Sequence, residues 1–260
     1  MTPNSWPRPW PGRAPRRATV ILVVAGLVVV ALIVTIAATR SAGGTGSPPG
    51  TRAVSVTAGP AGTVDLESVP GQLTITGSAT HQIRLTGQLH WSGHAPYASA
   101  RTMATAGTTA TAAPAGRTLH LDYVCATGSP CTEDYRLSLP AGTAVVLSQP
   151  SGHVIVSGLA GPLTITAASV DVSASGLRSP SLDASITSGH VSAAFTRVPR
   201  RVSLALTSAQ ATVRLPGVSP GYQVSQQVVS GYVHVGVAQA ASSPYQVRAQ
   251  ITSGELELLP

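Results

Sequence analysis

Charge is scarce in this chain, and lysine is absent altogether. All 16 basic residues are arginines, and six of them precede Ala53, whereas the part from Ala53 onward holds 10 arginines against 9 acidic residues. A nucleic-acid-binding domain needs a basic face that displaces counterions from the phosphate backbone. The nearly neutral part that begins at Ala53 excludes this class, so we expect no nucleic-acid partner.

Complete catalytic and metal-binding patterns are also missing from the sequence. The Gly-x-Ser-x-Gly spacing occurs once, at residues 217–221, but no helix signal follows it to form the strand-turn-helix elbow of a serine hydrolase, whose serine also needs a base and an orienting acid in contact. Glu133 and Asp134 are the one adjacent pair of acids, and their place near a turn predicts a solvated loop. We therefore expect a protein that is not an enzyme and that holds neither a cofactor nor a metal ion.

One long apolar run interrupts this polar background. Residues 19–39 contain no charge, and a helix of that length would span about 31 Å, which matches the hydrocarbon core of a bilayer. A cleaved signal peptide is the alternative, but its apolar region is usually about 7–15 residues long and ends at a small-x-small site. Four arginines closely precede the run, so the positive-inside rule predicts a cytoplasmic N-terminus and an extracytoplasmic C-terminal part.

These features divide the chain into four parts. Residues 1–18 form a Pro- and Arg-rich cytoplasmic tail, residues 19–39 a single transmembrane helix, and residues 40–52 a flexible linker of Gly, Ser, Thr and Pro. Residues 53–260 are rich in Val, Thr, Ser, Gly and Leu in short alternating runs, which is typical of an all-β domain. We expect a single-pass cell-membrane protein whose β domain lies outside.

A short phrase, Ser-Gly followed by alternating apolar and polar residues, recurs in the second half of the domain. Its glycine permits the positive φ of a tight turn. The repeat-turn glycines are Gly152, Gly189, Gly231 and Gly254. Alternation predicts half-buried strands, with Val154 and Val156 pointing inward. Stacked strands of this kind predict a β-helix or β-roll-like solenoid over about residues 144–260, while their spacing of roughly 8–11 residues also fits a β-sandwich.

The first half of the domain is less repetitive. Six alternating runs predict strands there. They cover residues 54–56, 64–66, 73–75, 83–91, 119–123 and 135–139. Residues 93–116 contain Ala and Thr but no alternation, which predicts a long mobile loop.

Cys125 and Cys131 flank a turn of sequence Ala-Thr-Gly-Ser-Pro. Outside the cytoplasm, such a pair favours a structural disulfide worth about 2 kcal/mol. A metal site would need two more ligands nearby, and a redox pair usually has closer spacing.

The Cys-turn-Cys, the Tyr-Arg-Leu-Ser-Leu-Pro-Ala-Gly-Thr segment at residues 135–143 and the serial Ser-Gly units together resemble the bacterial DUF4097 family. The resemblance covers roughly residues 54–260. Members of that family are described as candidate adhesins built from β-strand repeats, often behind an N-terminal membrane helix. The resemblance therefore implies a surface or binding role, and it supplies no catalytic residues.

Family members commonly carry an acidic residue after the Ser-Gly pair. Here that position holds His153, His190 and Tyr232, and only Glu255 fits. If the repeats stack in register, His153 and His190 share one face, with His234 out of phase. Three histidines can hold zinc, but we prefer exposed polar positions, which would make the face sensitive to pH.

Two functions from different classes remain open. The first is an adhesin-like binding module that presents a long face to an envelope polymer, a glycan or a protein ligand. The second is a cell-envelope stress sensor or scaffold that acts through a membrane or cell-wall partner. The tail of residues 1–18 has no signalling fold, which favours the first.

Overall fold

The computed structural model describes residues 33–40, 49–68, 70–94, 96–104, 116–124 and 130–260. These residues are almost entirely β, and none of them belongs to a helix long and apolar enough to cross a bilayer. The strands are β1 (Ile33–Arg40), β2 (Gly50–Ala58), β3 (Thr63–Glu67), β4 (Gly71–Ser78), β5 (Ile83–Trp91), β6 (Tyr97–Ala104), β7 (Arg117–Val124), β8 (Cys131–Pro140), β9 (Ala144–Ser157), β10 (Leu163–Leu177), β11 (Ser181–Phe195), β12 (Arg201–Arg214), β13 (Gln223–Val235) and β14 (Gln246–Leu259).

The predicted membrane segment overlaps the described residues only at its end. Residues 33–39 lie in β1, which pairs antiparallel with β2, so this end of the segment is extended rather than helical. Its Val, Ile and Thr residues are β-branched and favour strands wherever a neighbouring strand offers hydrogen bonds. Residues 19–32 lie outside the described part, and the membrane helix stays a prediction.

The strands join one open sheet whose two ends differ. The main path runs β1-β2-β5-β8-β4-β9-β10-β11-β12-β14-β13, and β3, β7 and β6 branch from it. From β9 to β13 every neighbouring pair is parallel and in register, apart from one shift between Ala174 and Leu177 at the end of the β10–β11 pair. Antiparallel pairs are confined to the first half, where the sequence is less repetitive.

The pairing of β9 divides at its centre. Its first part, from Ala144 to Ser148, pairs with β3, whereas the part from Gly152 to Ser157 pairs with β4. The two halves of this strand therefore have different neighbours on one side. The same division is visible in β10, where the exposed neighbours Ala168 and Ser169 interrupt the alternation of buried and exposed residues.

The Ser-Gly phrases lie inside strands rather than between them. The repeat-turn glycines lie where the alternation of buried and exposed residues is interrupted. Their φ values are positive, at 120° for Gly152, 111° for Gly189, 133° for Gly231 and 152° for Gly254. We call this position the corner. At Gly152 a Cβ atom would overlap the backbone of Gly71 on the neighbouring strand, so this position requires a residue without a side chain. The predicted short strands are thus joined in pairs into strands of 13–15 residues.

Inward rows of small apolar residues form the core. Val154 and Val156 are both fully buried, as predicted, and so are Leu163 and Ile165. Because the register is constant, each inward position repeats on the next strand, as in the row Leu163, Leu182, Val202 and Val247. Burial of such a side chain stabilises the fold by about 1.5–3 kcal/mol. The core is therefore continuous along the stack.

The six strands predicted in the first half are confirmed as parts of β2, β3, β4, β5, β7 and β8. The prediction of one long loop over residues 93–116 is wrong in part, because Tyr97–Ala104 forms β6 and pairs antiparallel with β7. Its run of Ala, Ser and Thr has no apolar alternation to reveal it, and the hydrogen bonds of β7 supply the order instead. Residues 105–115 lie outside the described part.

Candidate binding face

A row of polar side chains crosses the sheet one residue after the corner. Constant register brings these positions side by side on seven neighbouring strands. From β4 to β13 the row consists of Gln72, His153, Asp171, His190, Gln210, Glu255 and Tyr232. We call it the corner row. Neighbouring members are about 4.8 Å apart, which is the spacing between strands of a sheet.

A second row runs beside it, two residues further along each strand. Residues with the same phase point to the same side of a strand, so the two rows share one outward surface. The second row consists of Thr74, Ile155, Ser173, Ser192, Thr212, Glu257 and His234. Together the two rows form the candidate binding face.

An open groove of about 710 Å³ lies on this face. Its polar lining includes Gln72, Asp171 and Gln210, and Ile155 adds an apolar contact that is 38% exposed. The groove thus offers amide, carboxylate and imidazole groups along one line. Such a surface suits an extended ligand that makes several weak contacts, because no single deep pocket surrounds it.

Asp171 is the electrostatic centre of the groove. Its carboxylate lies 3.6 Å from Nδ1 of His153 and 3.1 Å from Nδ1 of His190. All three side chains are at least half exposed, so each of these contacts is worth less than about 1 kcal/mol. The arrangement therefore stabilises the fold little and leaves both imidazoles open to a ligand.

The register of the sheet determines which row each of the three histidines occupies. His153 and His190 share the corner row, whereas His234 lies beside Glu257 in the second row. In the described residues no group of three His, Cys, Asp or Glu side chains has a geometry suited to a metal ion.

The sequence did not single out Asp171 or Gln210, because Val170 and Ala209 stand at the corner of their strands in place of glycine.

Comparison with protein-family models gives no match, and no curated protein matches the chain either. Among solved structures, the chain is similar to a crystal structure from Clostridium sporogenes ATCC 15579 of a protein named as a candidate cell adhesion protein. The two are 13% identical, the match covers 88% of this chain and 99% of that one, and the TM-score is 0.44. At that TM-score the likeness shows neither a shared family nor a shared function. The DUF4097 resemblance stays a prediction.

Glu133 and Asp134 do not form the solvated loop expected from the sequence. Both lie in β8, where alternation sends Glu133 into the interior at 0% exposure and leaves Asp134 outward in line with Gln72. Because neighbouring residues of a strand point to opposite faces, the two carboxyl groups do not share a site. They therefore do not supply a paired general acid and base.

The predicted disulfide falls at the edge of the described residues. Cys131 begins β8, is buried and lies opposite Trp91 of β5. Cys125 lies outside the described part, so its pairing with Cys131 stays a prediction.

Tyr222 lies in the link that leads into β13. Its hydroxyl donates a hydrogen bond to the carbonyl of Pro216 over 2.7 Å, and its ring packs edge-on against Tyr245 at 6.3 Å between centroids. Burial raises the pKa of Tyr222 to about 12, and the nearby Tyr245 adds to the effect. Because the phenol is neutral at ordinary pH, this side chain serves as a packing element rather than as an acid or base.

Proposed function

We propose that this chain is a non-enzymatic, adhesin-like binding module, anchored in the cell membrane by the apolar segment that begins at residue 19 and exposed outside it. The observation that carries the proposal is the groove on the candidate binding face, which crosses five neighbouring strands from Gln72 to Gln210. The ligand class that suits it best is a glycan of the cell envelope. Hydroxyl groups of sugars both donate and accept hydrogen bonds, and the groove offers partners of both kinds.

The lengths of the strands and of the links between them support a β-solenoid beneath this face. A strand of 14 residues, such as β9, would be about 46 Å long if it were straight. The link from Ser157 to Leu163 can cover only about 20 Å, yet β9 and β10 are parallel and in register. We infer that each long strand folds back at its corner and makes one coil, as the division of β9 between β3 and β4 also indicates.

Such a coil explains why the face is long and regular. Each turn of the chain adds one residue to the corner row and one to the second row, so the surface grows by about 4.8 Å per coil. A repeating polymer can then make a polar contact on each successive coil. The affinity of each contact is small, and many of them add up along the groove.

The test uses the full chain carried in lipid nanodiscs, which stay in the supernatant unless they bind to sedimenting material. Nanodiscs are mixed with whole cells and with purified cell envelopes, and the bound fraction is measured over a concentration series. We expect saturable binding that survives moderate salt. The double substitution His153→Ala with His190→Ala should weaken binding at least about tenfold, which corresponds to about 1.4 kcal/mol.

Asp183→Ala provides the matched control. Asp183 is exposed like Asp171, but it lies on the first half of β11, before the corner, so its loss should leave binding unchanged. Digestion of the envelope glycans before mixing separates a glycan ligand from a protein ligand. If the folded chain binds neither cells nor envelopes, the adhesin-like function is wrong, and the sensor or scaffold hypothesis gains weight.

A further inference from the structure

The core of the stack is not covered at β13. Inward positions on β14, Val247, Ala249 and Ile251, are almost completely buried. Their partners on β13 are Val224, Gln226 and Val228. Val224 is only half-buried, Gln226 is exposed, and Val228 is 40% exposed. The inward rows therefore end on apolar side chains that still face water, where a terminal repeat would usually carry a polar cap.

β13 is also a free edge of the sheet. Among the described strands it pairs only with β14, so one row of its backbone groups has no strand partner. Natural edge strands are usually protected by lysine, proline or a strong bulge. Between Gln223 and Val235 there is no charged residue other than the titratable His234 and no proline. Val229 and Tyr232 add apolar surface, with exposures of 85% and 58%.

We propose that the β13 end binds the β13 end of a second copy of this chain, in an antiparallel dimer with a two-fold axis at Gln226. Residues 224–228 are self-complementary about that residue. Val224 lies opposite Val228 of the second copy, and Ser225 lies opposite Gln227 of the second copy. Apolar residues thus meet apolar residues on the inward side, and polar residues meet polar residues on the outward side.

Gln226 defines the register of this dimer. Its side chain points inward, and on the axis it faces the same amide of the second copy. An amide both donates and accepts hydrogen bonds, so two copies satisfy each other. Lack of charge along the strand removes the repulsion that usually prevents identical edges from pairing. A two-fold contact also closes on itself, which stops growth into fibres through this edge.

Sedimentation velocity of the full chain in a mild detergent tests the proposal over a wide range of concentration. We expect a reversible equilibrium between monomer and dimer. Gln226→Lys places two like charges opposite each other and should raise the dimer dissociation constant at least tenfold. Gln250→Lys is the matched control, because Gln250 is an exposed glutamine on β14, which is covered on both edges, and this variant should dimerise like the wild type.

A second variant tests the register and separates this contact from association through other parts of the chain. Directly opposite residues of an antiparallel pair have Cα atoms about 4.5–5.5 Å apart, which lies within the range that a disulfide bridges. Gln226→Cys should therefore yield a covalent dimer under mild oxidation, and Gln250→Cys should not. A wild-type chain that is monomeric throughout, an unchanged dissociation constant in Gln226→Lys, or a dimer that Gln226→Cys fails to trap would overturn the proposal.

Discussion

β13 and β14 carry the same Ser-Gly phrase and lie side by side in register, yet their environments differ. On β14 the inward residues Leu256 and Leu258 are fully buried. Their partners Val233 and Val235 on β13 are only half-buried. The two strands have the same alternation, so the difference arises from the number of neighbours: β14 lies between β12 and β13, whereas β13 has β14 alone.

Chain order makes the comparison more instructive. β13 comes first in the sequence, but β14 inserts between it and β12. The link of residues 236–245 allows this by folding back on Tyr222, where the backbone amide of Tyr222 donates to the carbonyl of Ala238 over 2.8 Å. Local pattern therefore defines a strand, and its place in the sheet defines how much of that strand is buried. The predictions below test this difference between the covered strand and the edge strand.

The largest effect is expected at the corner of β14. At Gly254 a side chain would overlap the backbone of Ala209 on β12, and φ is 152°, so Gly254→Val should destabilise the fold by more than about 4 kcal/mol. Gly231→Val meets the backbone of Gly254 in the same way, but an edge strand can move outward, and we expect about 1–3 kcal/mol. Urea denaturation measures both. Equal losses would mean that the edge strand is held as firmly as β14.

Core truncation is the next test. Leu256→Ala removes a side chain that is 0% exposed and should cost about 2–5 kcal/mol. Val233→Ala, at the partner position on β13, should cost less than about 1 kcal/mol, because water already reaches that side chain. The midpoints of chemical unfolding give the two values. A large loss at Val233 would show that the end of the stack is covered in solution.

Tyr222 connects the edge strand to the core and makes its stability depend on pH. The unfolded phenol loses its proton near its ordinary pKa of 10.0, but in the fold the pKa is about 12. Stability should therefore be constant below pH 10 and should fall between pH 10 and 12. Tyr222→Phe loses the hydrogen bond to Pro216, which costs about 1 kcal/mol at neutral pH.

The same substitution provides the control for its pH dependence. Thermal unfolding between pH 9 and 12 should show a smaller decline in Tyr222→Phe than in the wild type. Tyr232→Phe, on the exposed part of β13, should leave the decline unchanged. Identical pH profiles for Tyr222→Phe and the wild type would contradict the assignment to Tyr222.

The smallest effect is expected on the outward surface of the edge. Val229 is 85% exposed, so Val229→Lys should change the free energy of unfolding by less than about 0.5 kcal/mol. Thermal unfolding at low protein concentration checks this. A loss of 2 kcal/mol or more would mean that Val229 contacts another part of the chain.

Local patterns predicted the strands well wherever apolar and polar residues alternate. Val154, Val156, Leu163 and Ile165 point inward as expected. β6 was missed because Ala, Ser and Thr give no alternation, and its order comes from pairing with β7. The pairing of short runs into longer strands was missed as well, since a glycine with positive φ can end a strand or bend it, and only the neighbouring corners decide which.

The candidate site shows the same limit. His153 and His190 could be assigned to one face from their phase after Ser-Gly, but the sequence did not single out Asp171 as their neighbour. Its strand has Val170 at the corner instead of glycine, so the phrase that identifies the other strands is incomplete there. The register of the sheet places this carboxylate between the two imidazoles. A register is a property of paired strands, so the residues of one strand alone do not reveal it.

By itself the sequence determined the β class of residues 53–260 and the inward rows of valine, leucine and isoleucine. These are local properties, because alternation and φ depend on a few consecutive residues. The tertiary structure alone decided the order of strands, the burial of Glu133, the groove around Asp171 and the exposure of β13. Each of these features depends on which strands are neighbours in the sheet. Backbone hydrogen bonds can form between strands of almost any sequence, so they do not by themselves specify those neighbours.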